Sequence, residues 1–198
     1  GYNDLVLRIR TEEIFCSTPD KEVFYMKSAK KILALILAGV MALALLTGCG
    51  KAASLNRTIA EGLAEYTKLT LAQAGNDKNI SVSYQVPELG RNIAPLFDEN
   101  WITKDNSGKD ALTEAAKKTL ANILSPYMSD SSVVFLATDI TDVKNPVLEV
   151  LNLNYSDIAF RSTISDPSQL TSITSMKIEV THKTVNGRTY ALAVMIGK

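Results

Sequence analysis

The chain has 198 residues, with 21 basic and 21 acidic side chains, two cysteines and a single histidine. That balance contains no basic stripe and no acidic tail, so a nucleic-acid partner is not expected. One histidine, His182, and two cysteines, Cys16 and Cys49, exclude a zinc site of the usual kind, which needs several such ligands.

Residues 1–25 precede the first methionine, Met26, and read as upstream sequence or a segment appended in expression. From Met26 the pattern changes. Lys27, Lys30 and Lys31 form a short positive segment, and residues 32–46 carry no charge. The run stops at Leu46-Thr47-Gly48-Cys49. The lysines favour the cytoplasmic side and the apolar run partitions into the bilayer. Small Thr47 and Gly48 open the backbone to a peptidase. The run is shorter than the ~20 apolar residues of a membrane span. Leu46-Thr47-Gly48-Cys49 resembles the lipobox of bacterial lipoproteins, a resemblance that covers residues 26–50. It implies cleavage before Cys49, a diacylglycerol on the Cys49 thiol, and a chain held on the outer face of the cell membrane. Residues 26–48 are then a signal peptide, 49–53 a lipidated tether and 54–198 a single extracytoplasmic domain. That domain has no cysteine for a disulfide and depends on its apolar core.

In the domain, Ser54 reads as an N-cap. Leu55, Ile59, Leu63, Tyr66 and Thr70 follow at helical spacing, with Leu69 beside them, until Gly75-Asn76. A helix is expected at 54–74. Ile80, Val82, Tyr84 and Val86 alternate with polar residues before Pro87, the pattern of a half-buried strand. Leu89, Ile93, Leu96, Phe97 and Trp101 suit a short helical turn packed inward. Residues 104–110 read as a polar turn. A second helix is expected at 109–124, with Leu112, Ala115, Ala116, Leu120, Ile123 and Leu124 as its apolar stripe and Pro126 as its stop.

The remainder reads as β. Residues 132–137 suit a buried strand, and 147–153 and 156–163 suit two more, before a Ser- and Thr-rich loop at 165–175. Asn186-Gly187 between β-rich runs is a strong hairpin signal. It pairs Val185 with Arg188, Lys183 with Tyr190 and Thr181 with Leu192. The returning strand, 190–196, is apolar on both faces and belongs inside the sheet. The outgoing strand carries Lys177, Glu179 and Lys183 and belongs nearer an edge. The expected fold is α+β, two early helices packed on a mainly antiparallel sheet that ends in a C-terminal hairpin.

No constellation of residues identifies a reaction, and no cofactor is implied. His182 would be the only base for a Ser-His-Asp set, no G-x-S-x-G occurs, and a packed or edge histidine is the simpler account. Ser129-Asp130-Ser131 lies near the S-D-N element of penicillin-binding proteins. The accompanying S-x-x-K occurs only at Ser28–Lys31, inside the signal. Asp105, Ser107 and Asp110, or Asp139 and Asp142, offer oxygens for calcium, though turn formation explains both groups. Asp98, Glu99, Asp105 and Glu114 are acids of the type a paired-carboxylate hydrolase needs. Trp101 lies in a polar loop, where it serves either as a ligand contact or as a plug at the edge of the core.

Gly187-Arg188-Thr189-Tyr190 and Gly90-Arg91-Asn92-Ile93-Ala94 resemble segments of the CAP (cysteine-rich secretory) family. In the second segment Arg91 replaces that family's glutamate. The family's cavity uses two histidines and two acids, and this chain lacks the second histidine, so the resemblance implies a degenerate domain without the site. The expected role is that of a membrane-anchored envelope lipoprotein that binds an envelope protein or cell-wall component. A paired-carboxylate envelope hydrolase and a degenerate CAP-like domain are the alternatives.

Overall fold

A computed structural model describes residues 52–152, 158–161 and 171–198. The signal segment, Cys49 and Lys51 lie outside the described residues, as does most of the loop read at 165–175. Helix α1 (Ala52–Gln73) is followed by strand β1 (Ser81–Ser83), a π-turn (Leu89–Ile93) and a 3-10 turn (Glu99–Trp101). Strands β2 (Ile102–Lys104) and β3 (Asp110–Leu112) lead into α2 (Glu114–Met128). Then come β4 (Ser132–Asp139), α3 (Pro146–Asn152), β5 (Ile158–Arg161), β6 (Ser175–Val185) and β7 (Arg188–Gly197). The fold is α+β, as the sequence predicts.

Five strands form one sheet in the order β1-β6-β7-β4-β5, parallel only between β1 and β6. β7 occupies the centre, in keeping with its two apolar faces. α1 and α3 cover one face, where Ile59, Leu63, Val150, Ile178 and Val180 share a core. α2 and the two short turns cover the other, where Phe97, Leu120, Phe135, Leu192 and Val194 pack together. The two expected helices therefore sit on opposite faces of the sheet. The predicted hairpin register holds at all three pairs, Val185 with Arg188, Lys183 with Tyr190 and Thr181 with Leu192. Its turn places Asn186 at φ 49° and Gly187 at φ 77°, the left-handed conformation that Asn and Gly tolerate best.

α1 is described from Ala52, so Ser54 lies inside the helix and is not its N-cap as expected. The helix closes at the predicted place. Gly75 turns left-handed at φ 93°, Asn76 N–H donates to Leu71 O (2.9 Å), and Gly75 N–H donates to Ala72 O (3.0 Å). These two bonds satisfy carbonyls that a helix end leaves open.

Five further expectations need correction. Of the strand expected at 147–153, residues 147–152 instead belong to α3, and Leu153 lies outside the described residues. Pro146 sits in the first turn of α3, and Asn145 Oδ1 accepts from Leu148 N–H (3.2 Å). Val147, Val150 and Leu151 then fall on one helical face against α1. The expected strand at 80–86 is paired only over Ser81–Ser83. Burial still alternates through Val86, but there the N–H turns to the Glu179 carboxylate (2.5 Å) instead of a strand. α2 starts at Glu114 rather than 109, since Asp110–Leu112 pair with Ile102–Lys104 and Thr113 caps the helix through Ala116 N–H (3.2 Å). Pro126 lies inside α2 and does not end it. A proline leaves the carbonyl four residues back without its helical donor. Here Ser125 Oγ donates to that carbonyl, Asn122 O, at 2.9 Å. Finally, Leu96 is half exposed rather than packed inward, while Leu89, Ile93 and Phe97 are buried as expected.

Candidate functional site

The most organised polar cluster lies where β4 and β7 reach the hairpin end of the sheet. Antiparallel pairing sets Asp139 opposite Tyr190, two residues from Arg188. Arg188 donates from Nε to Asp139 Oδ2 at 2.7 Å, and its Nη2 reaches the same oxygen. Asp139 Oδ1 accepts from the N–H (2.9 Å) and the hydroxyl (2.5 Å) of Thr141. Thr141 Oγ1 accepts in turn from Thr189 N–H at 2.8 Å, so the chain leaving β4 is fastened to β7.

The electrostatics follow from this geometry. Burial opposes ionisation of Asp139, but the Thr141 hydroxyl and N–H together with the Arg188 guanidinium outweigh it, and the carboxyl is held below its ordinary range. Burial raises the Tyr190 phenol, against the lowering effect of Arg188 and with help from Asp110 and Asp139. Asp110 is tied to Lys104 Nζ at 2.6 Å. Near neutral pH, therefore, Asp139 stays ionised and Tyr190 stays protonated, and neither is tuned for proton transfer. The arrangement fastens a sheet end and presents a half-exposed guanidinium.

The adjoining loop is clamped to the same end. Lys183 Nζ donates to Ala94 O (2.8 Å) and Pro95 O (3.3 Å), and Asn186 Nδ2 donates to Glu99 Oε2 (2.5 Å). Together with Glu179 on Val86, these side chains cover the edge of β6 beyond β1, which would otherwise be open to further strand pairing.

The residues singled out from sequence are spread through local roles. Trp101 is 7% exposed and meets Phe97 edge-on at 5.8 Å, a place in the core. Phe97 in turn meets Tyr190 at 5.5 Å, so Trp101 reaches the polar cluster only through packing. Asp98 caps the 3-10 turn through Asn100 N–H (2.9 Å). Asp105 closes the β2–β3 turn on Ser107 and Lys109, and the Ser107 hydroxyl is the main cause of its lowered pKa. Glu114 pairs with Lys117 on the surface of α2 (2.7 Å). Asp130 is bound to Ser131 and Lys198 at the far end of the sheet. His182 is exposed, with Nδ1 3.3 Å from Asn56 Oδ1. Asp142 adopts φ 55° in the turn after β4, where Asp139 is committed to Thr141 and Arg188. Among the described residues no group of three or more His, Cys, Asp or Glu side chains is placed to hold a metal ion. Cys49 lies outside the described residues.

Sequence reasoning passed over Arg188, Tyr190, Thr141 and Lys183 as members of a cluster. The hairpin register alone places Lys183 and Arg188 near one tip. Nothing local shows that β4 delivers Asp139 beside them. Among the described residues no helix is long and apolar enough to cross a membrane. Comparison of the chain with family models, curated proteins and solved structures finds no match.

Proposed function

We propose that the chain is an envelope lipoprotein, anchored through Cys49 on the extracytoplasmic face of the cell membrane, whose domain binds a partner rather than catalysing a reaction. The observation that carries the reading is the order of segments: lysines at 27–31, an uncharged run at 32–46, Leu46-Thr47-Gly48-Cys49, and a folded helix from Ala52. Diacylglycerol supplies two chains, the number that turns marginal membrane binding into a stable anchor. The binding role is supported by the acids, since Asp98, Asp105, Glu114 and Asp139 are all engaged in caps, turns or ion pairs. The described surface is polar, with Leu96 and Met128 as its large exposed apolar side chains. It suits a hydrated partner such as a cell-wall component or the polar face of an envelope protein.

Mass spectrometry of membrane-extracted protein tests the anchor. The expected result is an N-terminal Cys49 bearing diacylglycerol, and loss of membrane retention in Cys49→Ala. An unmodified Cys49, with the variant retained as well as the unaltered chain, overturns the reading.

A further inference from the structure

The segment between Cys49 and the fold is short, and it enters at one end of the sheet. α1 runs antiparallel to β6. Asn56, near its start, meets His182. Thr67 Oγ1 lies 4.0 Å from the sulfur of Met195, the register partner of Ile178. Asn76, just past its end, donates to Ile173 O at 3.0 Å. α1 therefore begins at the end of the sheet that carries the Asn186-Gly187 turn.

Lengths make this consequential. Ala52 lies about 6 Å beyond Asn56 along the helix. Asn186 lies about 13 Å beyond His182 along the strand. The three steps from Cys49 to Ala52 span at most ~10 Å when fully extended. Cys49 thus reaches at most about 3 Å beyond the level of the hairpin tip. A lipid on Cys49 cannot enter a bilayer unless that end of the domain comes down to the headgroups.

The same end displays an apolar side chain. Leu96 is 50% exposed and follows exposed Pro95, in the loop held by Lys183 and by the Asn186–Glu99 bond. Among the described residues the other large exposed apolar one, Met128, ends α2, two residues before Asp130, which pairs with Lys198 at the opposite end. We infer that the hairpin end, Asn186-Gly187 with Pro95-Leu96 beside it, rests on the phospholipid surface that holds Cys49, with Leu96 entering the interface. This orientation rests on the anchoring of Cys49 proposed above.

The test uses the lipidated full chain in vesicles of phosphatidylethanolamine and phosphatidylglycerol that contain a lipid nitroxide quencher near the headgroup. A fluorophore is placed on Leu96→Cys or on Asp77→Cys. Asp77 is exposed beyond the far end of α1, and the Cys49 thiol is blocked as a thioether. Both positions are exposed, and circular dichroism checks that each variant folds. Quenching several-fold stronger at position 96 than at position 77 is expected. Equal quenching, or stronger quenching at 77, in protein whose Cys49 carries lipid by mass spectrometry, overturns the orientation and leaves the anchor standing. Self-quenching at 96 without lipid quenching assigns the tip to a second copy and also overturns it. Protein that has no lipid on Cys49 and does not sediment with vesicles overturns the anchor, and the orientation with it.

Discussion

Arg188 and Asp139 are expected to stabilise one another, and a double-mutant cycle measures by how much. Asp139→Asn is the informative partner variant, because its Oδ1 still accepts from Thr141 while the amide nitrogen in place of Oδ2 has neither the charge nor the lone pairs that Arg188 uses. Arg188→Ala removes the guanidinium. The Asp139 side chain is 11% exposed and that of Arg188 54%. The pair therefore falls between exposed ion pairs, worth ~0.2–1 kcal/mol, and buried hydrogen bonds to charged groups, worth ~1.5–3 kcal/mol. With half of Arg188 in water, the coupling is expected near the lower range, about 1 kcal/mol. For a chain of this size that corresponds to a shift of about 2–4 °C in Tm. The folded pKa of Asp139 lies below its unfolded value, so this stabilisation is complete above the ordinary carboxylate pKa of about 3.9 and disappears as pH falls through the folded pKa. Urea unfolding of the four chains at about pH 7, repeated at successively lower pH, reads both quantities. A coupling of zero at neutral pH, or one that persists after the carboxylate is protonated, would refute the reasoning.

Two further outcomes concern the backbone. Gly187→Val places a β-branched side chain at φ 77° with no heavy atom within 4 Å of its Cβ, so the cost is conformational strain, about 1–3 kcal/mol in urea unfolding; an unchanged midpoint removes the left-handed turn from the account. Pro126→Ala restores an N–H inside α2 and removes a steric conflict with the preceding turn. It is expected to raise stability by about 1–2 kcal/mol, less than the ~3 kcal/mol of an isolated helix interior because Ser125 already serves Asn122 O. A fall in Tm would show that the proline ring at position 126 is needed for packing.

α1, β4 and the β6–β7 hairpin were legible because their signals are local and long enough to be unambiguous. α1 repeats its apolar stripe over several turns, and Asn186-Gly187 sets register through its own φ preferences. The central position of β7 was legible too, from apolar residues on both faces of one strand. Short apolar runs were not. Val147–Leu151 satisfies a strand as well as a helix, and the choice came from Pro146, the Asn145 cap and a waiting surface on α1. Ile80–Val86 alternates throughout, yet β6 accepts it as a strand only over three residues, and farther on the Val86 N–H goes to the Glu179 side chain. Thr113 outcompetes the apolar pattern upstream of α2, since β3 claims Asp110–Leu112 first.

By itself the sequence determined the α+β class, the hairpin and its register, and the single stretch that points to an anchor. These depend on neighbours within a few residues, whose dihedral preferences and side-chain periodicity act before the chain meets itself. Only the tertiary structure decided that the early helices lie on opposite faces, that Trp101 faces the core, and that Asp139 meets Arg188 and Tyr190. Each of those depends on strand order, which is set by the burial of both faces of the sheet at once, a condition that no local window contains.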